Sequence, residues 1–140
     1  MKRLVVMTAC VVFLVAGAAC GPNPKDPENE LPLGFLDKPA QNAALGPGPT
    51  LVGGWAVDDT GIKEVRVYFD GRFVASTTLS VSRPDVAKAM APYARGTDIH
   101  GWNIEFDFGM QAGPHTILAQ AVDDNGATRD IGVATVHIPK

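Results

Sequence analysis

The segment "IKEVRVYFDGRFVASTTL", Ile62 to Leu79, constrains the fold more than any other part of the chain. Val65, Val67 and Phe69 alternate with Glu64, Arg66 and Tyr68. Side chains on a strand point to opposite faces with period two, so this pattern predicts a strand buried on one face and solvated on the other. Asp70-Gly71 follows at once, and then a second run, Arg72 to Leu79. A two-residue Asp-Gly link suits a type I′ turn, whose central residues both take positive φ, and it predicts a tight hairpin. A hairpin alone cannot cover its own apolar face, so further strands must do so.

Those strands are legible. "TLVGGWAV" predicts Leu51, Gly53, Trp55 and Val57 on one face. "WNIEFDF" alternates Trp102, Ile104, Phe106 and Phe108 with Asn103, Glu105 and Asp107, and "HTILAQAV" brings Ile117, Ala119 and Ala121 into phase. "IGVATVHI" is a β-branched run in which Gly132 signals a bulge and leaves the phase open. One stretch, "SRPDVAKAMAPY", reads as about two helical turns. Pro84 suits the first helical position, Asp85 favours the helix N-terminus, and Val86 and Met90 stand four apart. Pro92 is expected to end it, and the segment is expected to cross from one sheet to the other. Short strands with turn signals between them predict an all-β antiparallel sandwich with one short crossover helix, over residues 33–140. The expected interior holds Trp55, Val65, Val67, Phe69, Trp102, Ile104, Phe106, Ile117 and Ala119. No cysteine pair brackets Trp55, which excludes an antibody-type domain.

The N-terminus carries an address. Lys2 and Arg3 precede an apolar run from Leu4 to Ala16, and the small residues Gly17, Ala18 and Ala19 lead to Cys20. This is the pattern of an export signal over residues 1–19. The run is shorter than the roughly 20 residues a bilayer span requires. Of the two cysteines, Cys10 would leave with the signal and Cys20 would become the first mature residue, so no internal disulfide is possible. "GAAC" resembles the lipobox of bacterial lipoproteins, with Gly17 where an aliphatic residue is usual; the resemblance implies a diacylated Cys20. Cleavage after Ala19 by an ordinary signal peptidase is the alternative, and it would leave a free thiol in an oxidising compartment. Residues 20–32, with four prolines and mixed charge, read as a flexible tether. Without Lys2 and Arg3 the chain has 10 basic and 15 acidic residues, a net charge of −5, with no basic cluster. That composition disfavours nucleic acid and unassisted binding to anionic lipid.

Taken in order, "GFLDKPAQNAALGPGPTLVGGWAVDD", "IKEVRVYFDG", "SRPDV", "GW" and "GPHTILAQAVDDNG" resemble the bacterial Ig-like domains of secreted and surface proteins. The resemblance spans about Leu33 to Ile138. It implies an Ig-like sandwich that serves as a spacer, scaffold or binding module, without catalysis and without a specified ligand. Such domains often stand in long arrays, whereas here one domain follows a lipid-anchor signal.

Candidate functional residues are few. Trp55 and Trp102 each share a strand face with aliphatic residues, so core packing is expected of both rather than sugar stacking. Tyr68 falls on the opposite face of its strand and is a surface candidate. Arg83 and Asp85 are candidates for binding an anion or partner, and the simpler reading is that Arg83 pins the crossover to strand-end carbonyls or a carboxylate. His100, His115 and His137 have no metal-ligand spacing, and His115 beside Pro114 suggests a turn role. No nucleophile elbow, zinc motif or phosphate loop is present, so no catalytic residue, metal or cofactor is expected.

The stretch "AVDDTG" at Ala56 returns as "AVDDNG" at Ala121. The flanking residues diverge at once, which argues against a duplicated unit. Calcium would need some six to eight oxygens, and Asp58, Asp59, Asp123 and Asp124 would supply several if the two loops met. Asp side chains also cap their own turns, with glycine taking positive φ, and this is the expected role. Three function classes follow. The favoured one is a non-catalytic lipoprotein exported to the bacterial cell envelope, at the outer membrane, presenting a structural or protein-interaction module to envelope proteins or glycans. A carbohydrate-binding surface domain is the alternative, and it requires two or more aromatic rings exposed on one face. A hydrolase would require a concave cluster of titratable groups.

Overall fold

The computed structural model describes residues 28–109 and 111–140. The expected signal peptide, Cys20 and most of the expected tether lie outside them. The described chain runs β1 (Leu33–Lys38), β2 (Ala43–Ala44), β3 (Thr50–Val57), β4 (Ile62–Phe69), β5 (Arg72–Thr77), β6 (Val81–Ser82), α1 (Pro84–Ala89), a 3-10 turn (Ala91–Tyr93), β7 (Ile99–Phe106), β8 (Gly113–Asp123) and β9 (Thr128–Ile138). Two sheets form, a four-stranded one in the order β1-β3-β7-β6 and a five-stranded one in the order β2-β9-β8-β4-β5. All pairings are antiparallel except β2 with β9.

The hairpin forms as its sequence demands. Asp70 and Gly71 both adopt positive φ, 48° and 79°, and β4 returns as β5. Val65 and Val67 are fully buried, while Glu64, Arg66 and Tyr68 face outward with partial exposure. Arg66 pairs with Glu64 at 2.7 Å on that outer face. In β9, Ala119 pairs with Gly132 and Gln120 with Asp130, so Ile131 is the extra residue of a bulge. The bulge resets the phase, and Ile131, Ala134, Val136 and Ile138 all point inward. Gly132 sits where β1 crosses, since a side chain there would meet Leu36 Cβ at 2.5 Å.

The interior between the sheets holds Val52, Ala56, Val65, Val67, Trp102, Ile117, Ala119 and Val136, each 0 or 1 % exposed. Phe69 and Ile104 pack against it half-buried. Phe106 is half-buried and meets Phe108 at a tilt, 4.8 Å between ring centres, and the Phe108 ring in turn stacks on Phe69 at 4.6 Å. Each fully buried aliphatic or aromatic side chain contributes roughly 1.5–3 kcal/mol.

Trp55 is the correction. It does not join this interior; Val52, Gly54 and Ala56 supply the inward face of β3, and Leu51, Gly53 and Trp55 face out. The reason lies in the neighbouring strands. Gly54 lies directly opposite Trp102, and neighbouring residues on one sheet face share the space above them. A side chain at Gly54 would meet the Phe35 carbonyl of β1, so the inward phase of β3 combines Val52 and Ala56 with a glycine.

The helix also departs from expectation. It connects β6 to β7, which are neighbours in the same sheet. The chain changes sheets earlier, between β5 and β6, and a two-residue β6 shows no period from which to read that. Val86 is the buried residue of α1, the helix ends at Ala89, and Pro92 falls in the following 3-10 turn. The expected tether is shorter at its end as well. Asn29 and Pro32 are buried, and Tyr93 donates to Glu30 at 2.8 Å, so the described residues before β1 pack as part of the domain. Among the described residues no helix is long and apolar enough to cross a membrane.

Candidate functional site

The two aspartate loops meet at one pole of the sandwich. The Asp124 N–H donates to the Gly61 carbonyl at 2.9 Å. Asp58 Oδ2 accepts from the Thr60 N–H at 2.8 Å and from its hydroxyl at 2.6 Å. Asp123 Oδ1 accepts from the Ala127 N–H at 2.8 Å, and its Oδ2 accepts from the Asn29 amide. Each inner aspartate therefore caps its own loop. Asp58 is 2 % exposed, and its Oδ1 has no hydrogen-bond partner among the described residues. Burial pushes its carboxyl up to about 6; the two Thr60 contacts oppose this, and the neighbouring Asp123 and Asp59 charges add to it. Among the described residues, no group of three or more His, Cys, Asp or Glu side chains is arranged to hold a metal ion.

Beside this pole lies a cavity of about 190 Å³, lined by Asp58, Tyr93, Arg95 and His100 among apolar residues such as Ile62 and Leu79. It is the concave cluster that a hydrolase would require. Its groups are turned to local partners instead of to one another. Tyr93 donates to Glu30, Arg95 to the Asp59 carbonyl at 3.1 Å, and His100 Nε2 contacts the Thr97 carbonyl at 3.0 Å. Two contacts at this pole pair a carboxylate with a hydroxyl, Glu30 with Tyr93 and Asp58 with Thr60.

The other histidine with a partner serves the opposite end of the hairpin. His115 Nδ1 lies 2.6 Å from Asp70 Oδ2, and Nε2 lies 2.8 Å from the Gln111 carbonyl. Asp70 raises the affinity of the imidazole for its second proton, the Gln111 carbonyl adds to this, and the same contact lowers the Asp70 carboxyl. His115 also stacks on Phe69 at 4.9 Å. It is thus a turn-locking residue, as its place beside Pro114 suggests.

The three candidate surface residues do not converge. Arg83 is a clamp. Its Nε and Nη2 bind both oxygens of Asp85, at 2.9 and 2.8 Å, and its Nη1 binds Asp37 at 2.8 Å. It ties the start of α1 to the end of β1, and its partners hold its charge more firmly than an ordinary arginine's. Asp85 is drawn down to about 2 by the same contact. Tyr68 stands on the other sheet.

Tyr68 belongs to a surface that its strand pattern only half announces. Phe73, Tyr68, Leu118 and Val133 are successive cross-strand partners on β5, β4, β8 and β9. With strands about 4.8 Å apart, this row crosses about 14 Å of the outer face. Phe73 and Val133, at its two ends, are each 57 % exposed. The Tyr68 and Phe73 rings meet edge to face at 5.9 Å. On one side runs a polar row, Arg66, Gln120 and Asp130; on the other, Thr116 lies opposite Thr135. Gln120 donates to Asp130 at 3.0 Å, and the Tyr68 hydroxyl lies 3.4 Å from Gln120 Oε1. A depression of about 360 Å³ opens here, lined by Tyr68, Gly71, Thr116, Leu118, Gln120 and Asp130. The outer face of the four-stranded sheet also carries a ring pair, Phe35 opposite Trp55, with Phe35 56 % exposed.

No protein-family model matches the chain, and no curated protein matches it. Solved structures do. The fibronectin(III)-like modules of CbhA from Clostridium thermocellum are similar at 18 % identity with a TM-score of 0.51, over 76 % of this chain and 96 % of that one. Latent PorU from Porphyromonas gingivalis matches at 17 % identity and a TM-score of 0.46, over 75 % of this chain and 10 % of that one. The CARDB domain of PF1109 from Pyrococcus furiosus, solved with di-metal ions, matches at 16 % identity and a TM-score of 0.41, over 78 % and 91 %. The strand order and the first of these similarities define the fold as an Ig-like, fibronectin-III-like β-sandwich.

Proposed function

We propose that this protein is a non-catalytic module displayed on the bacterial cell envelope, anchored through lipid on Cys20, and that it makes contact through the outer face of its five-stranded sheet. The observation that carries this reading is the row Phe73, Tyr68, Leu118 and Val133. Four side chains from four strands converge there, and their two end members stay mostly in water. Exposed apolar groups so aligned are characteristic of contact surfaces. Export and anchoring rest on the signal-like segment before Cys20. The non-catalytic reading is supported by titratable groups that hold loops in place.

A photo-crosslinking side chain at Phe73 in cells tests this. The expected result is an adduct with another envelope component. Adducts from the same probe at Phe35, on the other sheet, with none from Phe73 would move the contact face and overturn the reading.

A further inference from the structure

We infer that the ligand of this face is a neutral oligosaccharide chain, lying along the Phe73–Tyr68–Leu118–Val133 row with its hydroxyls on the flanking polar rows. The inference deepens the reading of the contact face and rests on it. The argument is one of pattern. A sugar chain is a narrow ribbon: its ring C–H faces are apolar and its edges carry hydroxyls. The surface has the complementary striping. An apolar row one residue wide lies between Gln120 and Asp130 on one side and Thr116 and Thr135 on the other. The ribbon would stack its C–H groups on the ring of Tyr68, whose π face is electron-rich.

The polar groups are set in advance. Gln120 is held by Asp130 at 3.0 Å, and its carbonyl oxygen lies 3.4 Å from the Tyr68 hydroxyl. Prearranged donors and acceptors around an apolar floor are the general plan of small-ligand sites. The depression of about 360 Å³ beside Tyr68 is shallow and open over Gly71. A protein partner fits less well. A stable protein interface covers about 800 Å² on each side and has an apolar centre, whereas this apolar strip is a single residue wide. Charge favours a neutral ligand, because Arg66 is already paired with Glu64 at 2.7 Å. The opposite sheet has rings, Phe35 and Trp55, but the smaller depression there, of about 150 Å³ and lined by Asp37, Lys38, Leu51, Val81 and Arg83, does not include them.

The test is binding of the full-length protein, in detergent, to an array of neutral oligosaccharides. The array would carry β-glucan, xylan, chitin and α-glucan oligomers of several lengths. At least one series should bind, more tightly as it lengthens. Tyr68→Ala and Gln120→Ala should each weaken binding about tenfold or more, and Trp55→Ala should not change it. Tryptophan fluorescence should stay unchanged on binding, because Trp102 is in the core and Trp55 is on the other sheet. Both Tyr68 and Gln120 lie on an outer face, and the melting temperature of each variant checks that it is folded. Absence of binding across the array overturns the inference, as does binding that Trp55→Ala abolishes and Tyr68→Ala does not. A protein adduct from Phe73 together with an empty array would overturn the glycan and leave the contact face standing. Loss of both would overturn both.

Discussion

The backbone N–H of Asp124 donates to the carbonyl of Gly61 at 2.9 Å, so the two Asp-Asp-x-Gly turns are joined. The repeated hexapeptide therefore marks two loops at one pole of a single sandwich. Asp58 and Asp123 each spend a carboxylate oxygen on their own loop's backbone. Thermal melts with excess calcium and with chelator should coincide. An ion at a hundred times its dissociation constant would add about 2.7 kcal/mol, which moves the midpoint by several degrees, and such a shift would refute the turn assignment.

Asp58 gives the pole a pH response. Its folded carboxyl holds its proton up to about 6, against an ordinary value of 3.8. Between those values the native state binds a proton that the unfolded chain releases, so stability falls as pH rises through that window. Asp58→Asn keeps an oxygen for Thr60 and removes the buried charge. The variant should gain stability relative to the wild type as pH rises from 4 to 7, and the gap should narrow again toward pH 4. A gap independent of pH would show that the carboxyl is not the source.

His115 acts at the other end, with the same sign through a different cause. Both ring nitrogens face acceptors, so the folded state favours the doubly protonated ring and raises its affinity for that proton. The stabilisation is complete below the ordinary value near 6.5 and is lost as pH rises through the raised one. His115→Phe preserves the stack on Phe69 and removes both contacts. It should cost about 1 kcal/mol at pH 5.5 and much less at pH 9; equal costs at the two values would refute a charged ring.

Most of the strands were legible because the apolar alternation in β4, β7 and β8 is undisturbed. The Asp70-Gly71 turn was legible because few dipeptides accept positive φ twice. The face of β3 was not. Its two phases hold Leu51, Gly53, Trp55 and Val57 against Val52, Gly54 and Ala56, and side-chain size pointed to the first. Which phase faces inward depends on strands distant in sequence, β1 pressing its Phe35 carbonyl against Gly54 and β7 placing Trp102 opposite it, and no local pattern carries that. The contact face is a similar case. Tyr68 was readable as outward, but Phe73, Leu118 and Val133 come from three other strands, and only the register lines them up. The bulge in β9 fixes where Val133 falls, and β2 and β6 are too short to show a period.

The anchor is tested directly by mass spectrometry of the mature N-terminus. A diacylated Cys20 is the expected product, since Cys20 directly follows the apolar signal-like segment. An unmodified Cys20 in the secreted fraction would exclude the anchor and leave the contact face untouched.

The two tryptophans should respond oppositely to truncation. Trp102 is 1 % exposed in the core between the sheets, so Trp102→Ala should cost roughly 3–5 kcal/mol. In a domain of this size that threatens folding. Its indole N–H has no partner among the described residues, so Trp102→Phe should cost clearly less, because it removes an unsatisfied donor together with part of the ring. Trp55 lies on the outer face beside Phe35 and is partly exposed. Trp55→Ala should cost clearly less than Trp102→Ala, because its ring is partly exposed and lies outside the core. Urea midpoints of the three variants measure this. A Trp55→Ala loss as large as that of Trp102→Ala would place both rings in the core and refute the outward phase of Trp55.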